Sequence, residues 1–132
     1  MKKSIIGTIF IITCCLFLSS CKKKAEPISL PLTGAVESVE VALGDEDIIH
    51  TDEEWIASFM QKIGDGKPTS KESVQDVPSV SKYTKVDILY NSNTSIVFIY
   101  EENSKWYVEQ PYQGIYEIDE TISSLLGEKN KV

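Results

Sequence analysis

The sequence predicts an α+β domain in which a small antiparallel sheet of about five strands packs on one helix and a short helix follows at the C-terminus. Three observations support this class. Several short segments alternate apolar and polar residues, which is the period of a half-buried strand. Brief polar joints connect the segments after residue 83, as in an antiparallel meander. One segment instead repeats its apolar residues at the spacing of a helix face.

The first predicted element is a strand followed by a turn. Residues 35–43 alternate valines and a leucine with acidic and small side chains. The Gly-Asp pair at 44–45 supplies a turn before the isoleucines at 48–49. We therefore expect a hairpin or a bent strand over this stretch.

The main helix is predicted to begin at residues 51–54, whose Thr-Asp-Glu-Glu sequence is a capping box. Thr51 would be the N-cap, and Glu54 follows three residues later. Gly64 stands where a glycine just beyond the last helical residue would end the helix. The apolar face that we expect to enter the core consists of Trp55, Ile56, Phe59, Met60 and Ile63.

The second half of the domain begins with a long predicted loop over residues 65–81, rich in Gly, Pro, Ser and Thr. Loops of this length in a compact domain are often functional. Strands and one helix should follow the loop. They cover residues 83–90, 96–101, 105–110 and 115–118 for the strands and 119–126 for the helix.

The N-terminus has the layout of a secretory signal, with Lys2 and Lys3 before an apolar run that ends at Leu18. The run is shorter than the roughly 20 apolar residues that a membrane-spanning helix needs. Residues 18–21 (Leu-Ser-Ser-Cys) resemble the bacterial lipobox, which predicts cleavage before Cys21 and lipid on that cysteine. The alternative is a plain signal peptide cut at another bond. The lipobox predicts a lipid anchor on the outer face of the cell membrane.

These features divide the chain into four predicted parts. Residues 1–20 are a signal peptide that is removed, and residues 21–32 carry the lipidated cysteine and a Lys/Pro tether. Residues 33–126 form a single domain, and residues 127–132 are a polar tail. We expect the domain to be a monomer.

Composition excludes several classes of function. The formal net charge is -7 and every basic residue other than the one histidine is a lysine, so binding to nucleic acid phosphates is not expected. Cys14 and Cys15 leave with the signal peptide, so the mature chain has neither a disulfide nor a thiolate metal site. The acidic stretch over 45–54 suits a turn and a helix cap, and we expect no metal and no cofactor.

Catalysis is not predicted, because the chain has one histidine, His50, and neither a Gly-x-Ser-x-Gly nor a His-Glu-x-x-His motif. Binding is therefore the leading hypothesis. Its ligand would be a peptide, a cell-wall component or a membrane protein. The competing hypothesis is a passive or regulatory accessory lipoprotein that has no ligand of its own.

The candidate recognition residues are Trp106, Tyr107, Tyr112 and Tyr116, in an aromatic segment shaped by a proline and a glycine. Tyrosine combines apolar area with a hydroxyl, which suits recognition surfaces. The hypothesis is that Tyr112 is partly exposed and forms one face of a site with residues 68–78. The alternative is that these aromatic residues close the core. Exposure of all four side chains would favour binding, and burial of all four would favour a structural role.

Residues 68–78 (Pro-Thr-Ser-Lys-Glu-Ser-Val-Gln-Asp-Val-Pro) and 107–116 (Tyr-Val-Glu-Gln-Pro-Tyr-Gln-Gly-Ile-Tyr) resemble a family of domains of unknown function, number 5301, found in small exported Gram-positive lipoproteins. The resemblance extends over about residues 33–126. It implies an exported lipoprotein with one domain. It implies no activity, ligand or catalytic residue.

Overall fold

The computed structural model describes residues 25–127, in which one antiparallel sheet carries both helices on the same face. The strands are β1 (Val36–Leu43), β2 (Glu46–His50), β3 (Lys67–Pro68), β4 (Thr84–Tyr90), β5 (Asn93–Glu102), β6 (Lys105–Gln110) and β7 (Gly114–Ile118). The helices are α1 (Glu53–Gly64) and α2 (Ile122–Gly127), and a single 3₁₀ turn covers Thr33–Ala35. The predicted α+β class is confirmed.

Within residues 25–127 the sheet has seven strands in the order β2-β1-β4-β5-β6-β7-β3, so the prediction of about five strands was too low. The clearest omission is β3, which lies inside the predicted loop and pairs with β7. Lys67 lies opposite Glu117, and Pro68 lies opposite Tyr116. Lys67 and Pro68 are too few to show a strand pattern, and one of them is a proline. They form a strand because the edge of β7 is open for pairing.

Two of the hairpins turn through Asn-Ser pairs. Asn91 and Ser92 join β4 to β5, and both have positive φ. Asn103 and Ser104 join β5 to β6 in the same way. Two-residue turns of this kind match the twist of antiparallel strands. The meander predicted from the short polar joints is confirmed.

Helix α1 begins one residue later than predicted. Asp52 is the N-cap, and its carboxylate accepts a hydrogen bond of 2.9 Å from the backbone N–H of Trp55. Thr51 and Asp52 are both suitable caps, so the sequence could not choose between them. Gly64 is the last helical residue rather than the one after it. The predicted core positions of α1 are buried, except that Trp55 is half-buried.

The two faces of the sheet are covered differently. The helix face forms the larger apolar cluster, which includes Val39, Val86, Phe59 and the fully buried Tyr116. On the outer face, the segment 69–83 covers a smaller cluster of Tyr100, Tyr107 and Ile115, with Val80 from the segment itself packed against it. The predicted loop therefore shields part of the outer face and leaves the rest exposed.

Residues 25–32 were predicted to belong to a tether, but in the structure they pack along the domain. Ala25, Ile28 and Leu30 pack against the larger apolar cluster. Ser29 exchanges two hydrogen bonds with the Gln110 side chain: its N–H donates to Oε1 at 2.8 Å, and its carbonyl accepts from Nε2 at 2.6 Å. Apolar contacts at alternating positions and paired backbone groups hold this segment as part of the fold.

The predicted signal peptide and Cys21 lie outside the described residues, as do residues 128–132 of the predicted tail. Among residues 25–127, no helix has the length and apolar character that crossing a membrane requires.

Candidate functional site

The turn between β6 and β7 places Tyr112 on the surface. Gln113 donates its N–H to the carbonyl of Gln110 at 3.0 Å, and Tyr112 between them has φ 62°. This left-handed conformation is unfavourable for a bulky side chain. The sequence placed the bend at Gly114, but the structure assigns the positive φ to Tyr112. Backbone strain at an exposed aromatic residue is often associated with function.

A hydrogen bond connects Tyr112 to the segment 69–83. The Tyr112 hydroxyl donates to Asp76 Oδ1 at 2.7 Å, while 66% of the side chain stays exposed. This hydrogen bond raises the pKa of the Tyr112 hydroxyl, because Asp76 favours the protonated form. At neutral pH the hydroxyl is therefore a donor, and the ring is held in one orientation with its faces accessible.

A buried carboxylate holds the segment 69–83 on the sheet. Glu109 is buried, and its two oxygens accept hydrogen bonds from the hydroxyls of Ser73 at 2.8 Å and Tyr100 at 3.1 Å. Burial, followed by the proximity of Glu109, raises the pKa of Tyr100. A buried carboxylate that lost a donor would be costly, so the hydrogen bond from Ser73 holds the segment on the sheet. The sequence analysis did not identify Glu109 as a site residue, although Glu109 lies two residues after Tyr107 and therefore on the same face of the strand.

A groove of about 620 Å³ opens between the segment 69–83 and strands β4 and β5. We call it the outer groove. Six of its residues are Asp76, Val77, Tyr83, Ile96, Phe98 and Pro111. Phe98 is buried at its floor, and the Tyr83 ring meets it edge to face with centroids 5.2 Å apart. Val77, Tyr83 and Ile96 remain exposed. Exposed apolar side chains around a concave surface are typical of binding sites.

The four predicted recognition residues do not form one surface. Tyr116 is fully buried on the helix face, where its hydroxyl donates to the carbonyl of Glu26. Trp106 is half-buried on the same face, whereas Tyr107 is buried on the outer face with the ammonium of Lys71 4.8 Å from its ring centroid. Only Tyr112 is exposed among them.

The two-residue period of a strand explains this division, because neighbours such as Trp106 and Tyr107 must point to opposite faces. Direct contact of Tyr107 or Tyr116 with a partner is contradicted by their burial. The residues that join Tyr112 at the surface are instead Val77, Tyr83 and Ile96. No sequence signal connects them, because they lie in three different elements.

A second, larger concavity of about 750 Å³ lies beside α1 and strands β6 and β7. Its lining is mostly polar and charged. Lys62 donates to the hydroxyl of Thr121 at 2.5 Å, and Lys105 lies 3.7 Å from Glu117. We therefore assign the candidate site to the outer groove, where apolar side chains remain uncovered.

His50 lies on the helix side of the sheet, where its ring stacks on that of Trp55 with centroids 3.5 Å apart. Over residues 25–127, no three His, Cys, Asp or Glu side chains are grouped so that they could hold a metal ion. The outer groove combines apolar side chains with the carboxylate of Asp76, the ammonium of Lys85 and the hydroxyls of Tyr83, Thr94 and Ser95, which is the chemistry of a binding surface.

Similar proteins are known at the level of family and fold. The family model DUF5301, described as "Domain of unknown function (DUF5300)", matches residues 24–117. The chain is also similar to a protein from Ruminococcus gnavus whose structure was solved by NMR, with 36% identity and a TM-score of 0.65. That similarity covers 74% of this chain and 97% of the other. No curated protein matches the chain.

Proposed function

This chain belongs to the domain-of-unknown-function family DUF5301, and we propose that it is a surface-anchored lipoprotein whose domain binds a partner without catalysis. The partner would be a peptide, a cell-wall component or a membrane protein. The observation that carries the proposal is the exposed Tyr112, held by Asp76 at the end of the outer groove. Rigid, accessible aromatic side chains beside an apolar groove are typical anchors of recognition sites.

The geometry of the groove supports binding over a purely structural role. If the aromatic segment only closed the core, Tyr112 would be packed, as Tyr116 is. Instead, the fold places Tyr112 in a strained backbone conformation and directs its hydroxyl to Asp76. The ring itself covers little of the protein, because most of it is exposed. An exposed ring held in one orientation loses little conformational entropy when a partner covers it.

The packing of residues 25–32 bears on the proposed anchor. Three residues lie between Cys21 and Ala25, so the two are at most about 14 Å apart. The domain would therefore lie close to the membrane, and Lys22, Lys23 and Lys24 would be near anionic headgroups. A partner within or next to the membrane would then be within reach of the domain.

Replacing Cys21 with alanine is expected to abolish incorporation of labelled palmitate, since we propose Cys21 as the acylated residue. Two acyl chains anchor a protein stably, so the variant should also leave the membrane fraction. Metabolic labelling and fractionation measure both effects, and Ser20→Cys with Cys21→Ala serves as a position control. Persistent labelling of Cys21→Ala would contradict the proposed anchor.

Replacing Tyr112 with alanine is expected to weaken capture of a membrane or wall partner at least about fivefold. The free energy of unfolding should change by less than about 1 kcal/mol, because the side chain is mostly exposed. Crosslinking and pull-down from solubilised membranes measure capture, and a thermal melt measures stability.

Leu32→Ala is the matched control, because Leu32 is also apolar and exposed but lies neither in the turn between β6 and β7 nor in the outer groove. Capture should be unaffected by this change. Equal capture by Tyr112→Ala and the native protein would instead favour the alternative, an accessory lipoprotein without a ligand at this groove.

A further inference from the structure

The outer face continues beyond the outer groove as an uncovered surface. Across neighbouring strands, Ile96 pairs with Asp87, Asp87 with Glu40, and Glu40 with Ile49. These positions alternate with core residues such as Val39, so all four side chains lie on the outer face. Ile49 is 59% exposed and Ile96 is 39% exposed. The row therefore extends the groove with two apolar ends and two carboxylates between them.

In the described part of the chain, the two carboxylates of this row, Glu40 and Asp87, have one lysine partner, Lys85, which pairs with Asp87. Glu40 and Asp87 lie directly opposite each other, an arrangement that is unfavourable for like charges. The Lys85 ammonium donates to Asp87 Oδ2 at 3.4 Å and lies 3.4 Å from Oδ1, a buried oxygen that accepts no hydrogen bond from residues 25–127. In the same part of the chain, no lysine lies within ion-pair distance of Glu40. A ligand that carries a positive charge would relieve this repulsion.

The net negative charge of the domain also favours a ligand that carries positive charge. Residues 25–127 contain nineteen acidic residues and six lysines. Such an excess creates a negative potential that attracts cations and accelerates their association. Among residues 25–127, Lys85 is the only lysine in ion-pair contact with either carboxylate of the row. A second cation for the outer face would therefore come from another molecule.

We infer that the outer groove and the row from Ile96 to Ile49 bind an extended peptide segment in which apolar and basic side chains alternate along one face, in the order apolar-x-basic-x-apolar. This inference names the ligand class of the proposed binding site and rests on that proposal. Three strand spacings separate Ile96 from Ile49, about 14 Å. In an extended peptide, side chains four residues apart are separated by about 13 Å, and the side chain midway between them points to the same face.

Because the row and the peptide repeat have matching lengths, each peptide side chain has an expected position on the row. One apolar peptide side chain would rest against Ile96 and the groove, and another would rest against Ile49. The basic side chain between them would lie over Glu40 and Asp87. Tyr112 and Tyr83 would flank the end of the peptide that enters the groove.

The test uses the mature chain from residue 21 with Cys21→Ser, which removes the acylation site. Three short peptides of equal length are titrated, in which two leucines four residues apart flank a central lysine, glutamine or glutamate and the residues between them are serine. Binding is followed by fluorescence anisotropy and by amide shifts in NMR spectra. The lysine peptide should bind most tightly, shift amides of β4 and β5, and lose affinity as salt rises.

The paired substitution Glu40→Gln and Asp87→Asn should weaken binding of the lysine peptide at least about threefold. Glu53→Gln with Glu54→Gln is the matched control, because it removes the same charge from the exposed start of α1. Binding by this control should equal that of the parent chain. Amide spectra of both variants show whether they are folded.

Three other outcomes would contradict the inference. Each of them can be distinguished from a failure of the proposed function. If the glutamine peptide binds as tightly as the lysine peptide, the groove binds apolar segments without selecting charge. If no peptide binds but Tyr112→Ala still reduces partner capture, the site is real and its ligand belongs to another class. If a simple polyamine competes fully with the lysine peptide, the site is only a cation site.

Discussion

Removing residues 25–32 is expected to destabilise the domain by roughly 3 kcal/mol or more, although this segment resembles a linker in sequence. Ala25, Ile28 and Leu30 pack against the apolar cluster of the helix face. Their loss would expose part of that cluster to water. The truncated chain would also leave the side chain of Gln110, which is almost fully buried, without its hydrogen bonds to Ser29.

Thermal and urea unfolding of two chains measure this effect, one beginning at residue 21 with Cys21→Ser and the other at residue 33. A domain of this size loses about 4–8 °C in melting temperature per kcal/mol, so the midpoint should fall by roughly 12 °C or more. A third chain, beginning at residue 28, keeps Ser29 and Leu30 and should be intermediate. Equal stability of all three would show that the segment does not contribute to the fold.

Replacing Gly114 with alanine is expected to destabilise the domain by about 1–3 kcal/mol through overpacking. A Cβ at this position would lie 2.5 Å from Ala25 Cβ and 3.0 Å from the Tyr116 hydroxyl oxygen. Real side chains do not approach so closely, so the segment at residue 25 or the ring of Tyr116 must move. Since Tyr116 is fully buried, the ring has little space in which to move.

Two further variants identify the cause. Gly34→Ala is the matched control, because a Cβ there meets no atom within 4 Å and should change stability little. Combining Gly114→Ala with Ala25→Gly removes the closest contact, so part of the lost stability should return. Equal melting temperatures for Gly114→Ala and the parent chain would show that the N-terminal segment does not pack beside Gly114.

The shape of the outer groove depends on the hydrogen bonds that hold the segment 69–83 on the outer face. Glu109 holds the segment 69–83 from one side through Ser73, while Tyr112 holds it from the other through Asp76. Because the segment contributes Asp76, Val77 and Tyr83, its position determines the shape of the groove. A ligand in the groove would therefore contact a surface that is already ordered, which reduces the entropy cost of binding.

The strands and the main helix could be predicted from the sequence, because each is indicated by a pattern that extends over only a few residues. Alternation predicted β1 and the meander, and helical spacing with a cap predicted α1 to within one residue. The resemblance of residues 68–78 and 107–116 likewise predicted the family. These properties depend on side chains that are neighbours along the chain, so one sequence is sufficient to infer them.

Which surfaces stay exposed could not be predicted from the sequence, because exposure depends on contacts between residues that are distant along the chain. The two-residue strand β3 and the packed segment 25–32 exist because β7 and the helix face offer partners that are distant in sequence. For the same reason Tyr116 is buried while Tyr112, four residues away, is exposed beside Asp76. The candidate site combines Val77, Tyr83 and Ile96, which approach each other only when the chain folds. Long-range packing, rather than local pattern, therefore determines where the proposed binding surface lies.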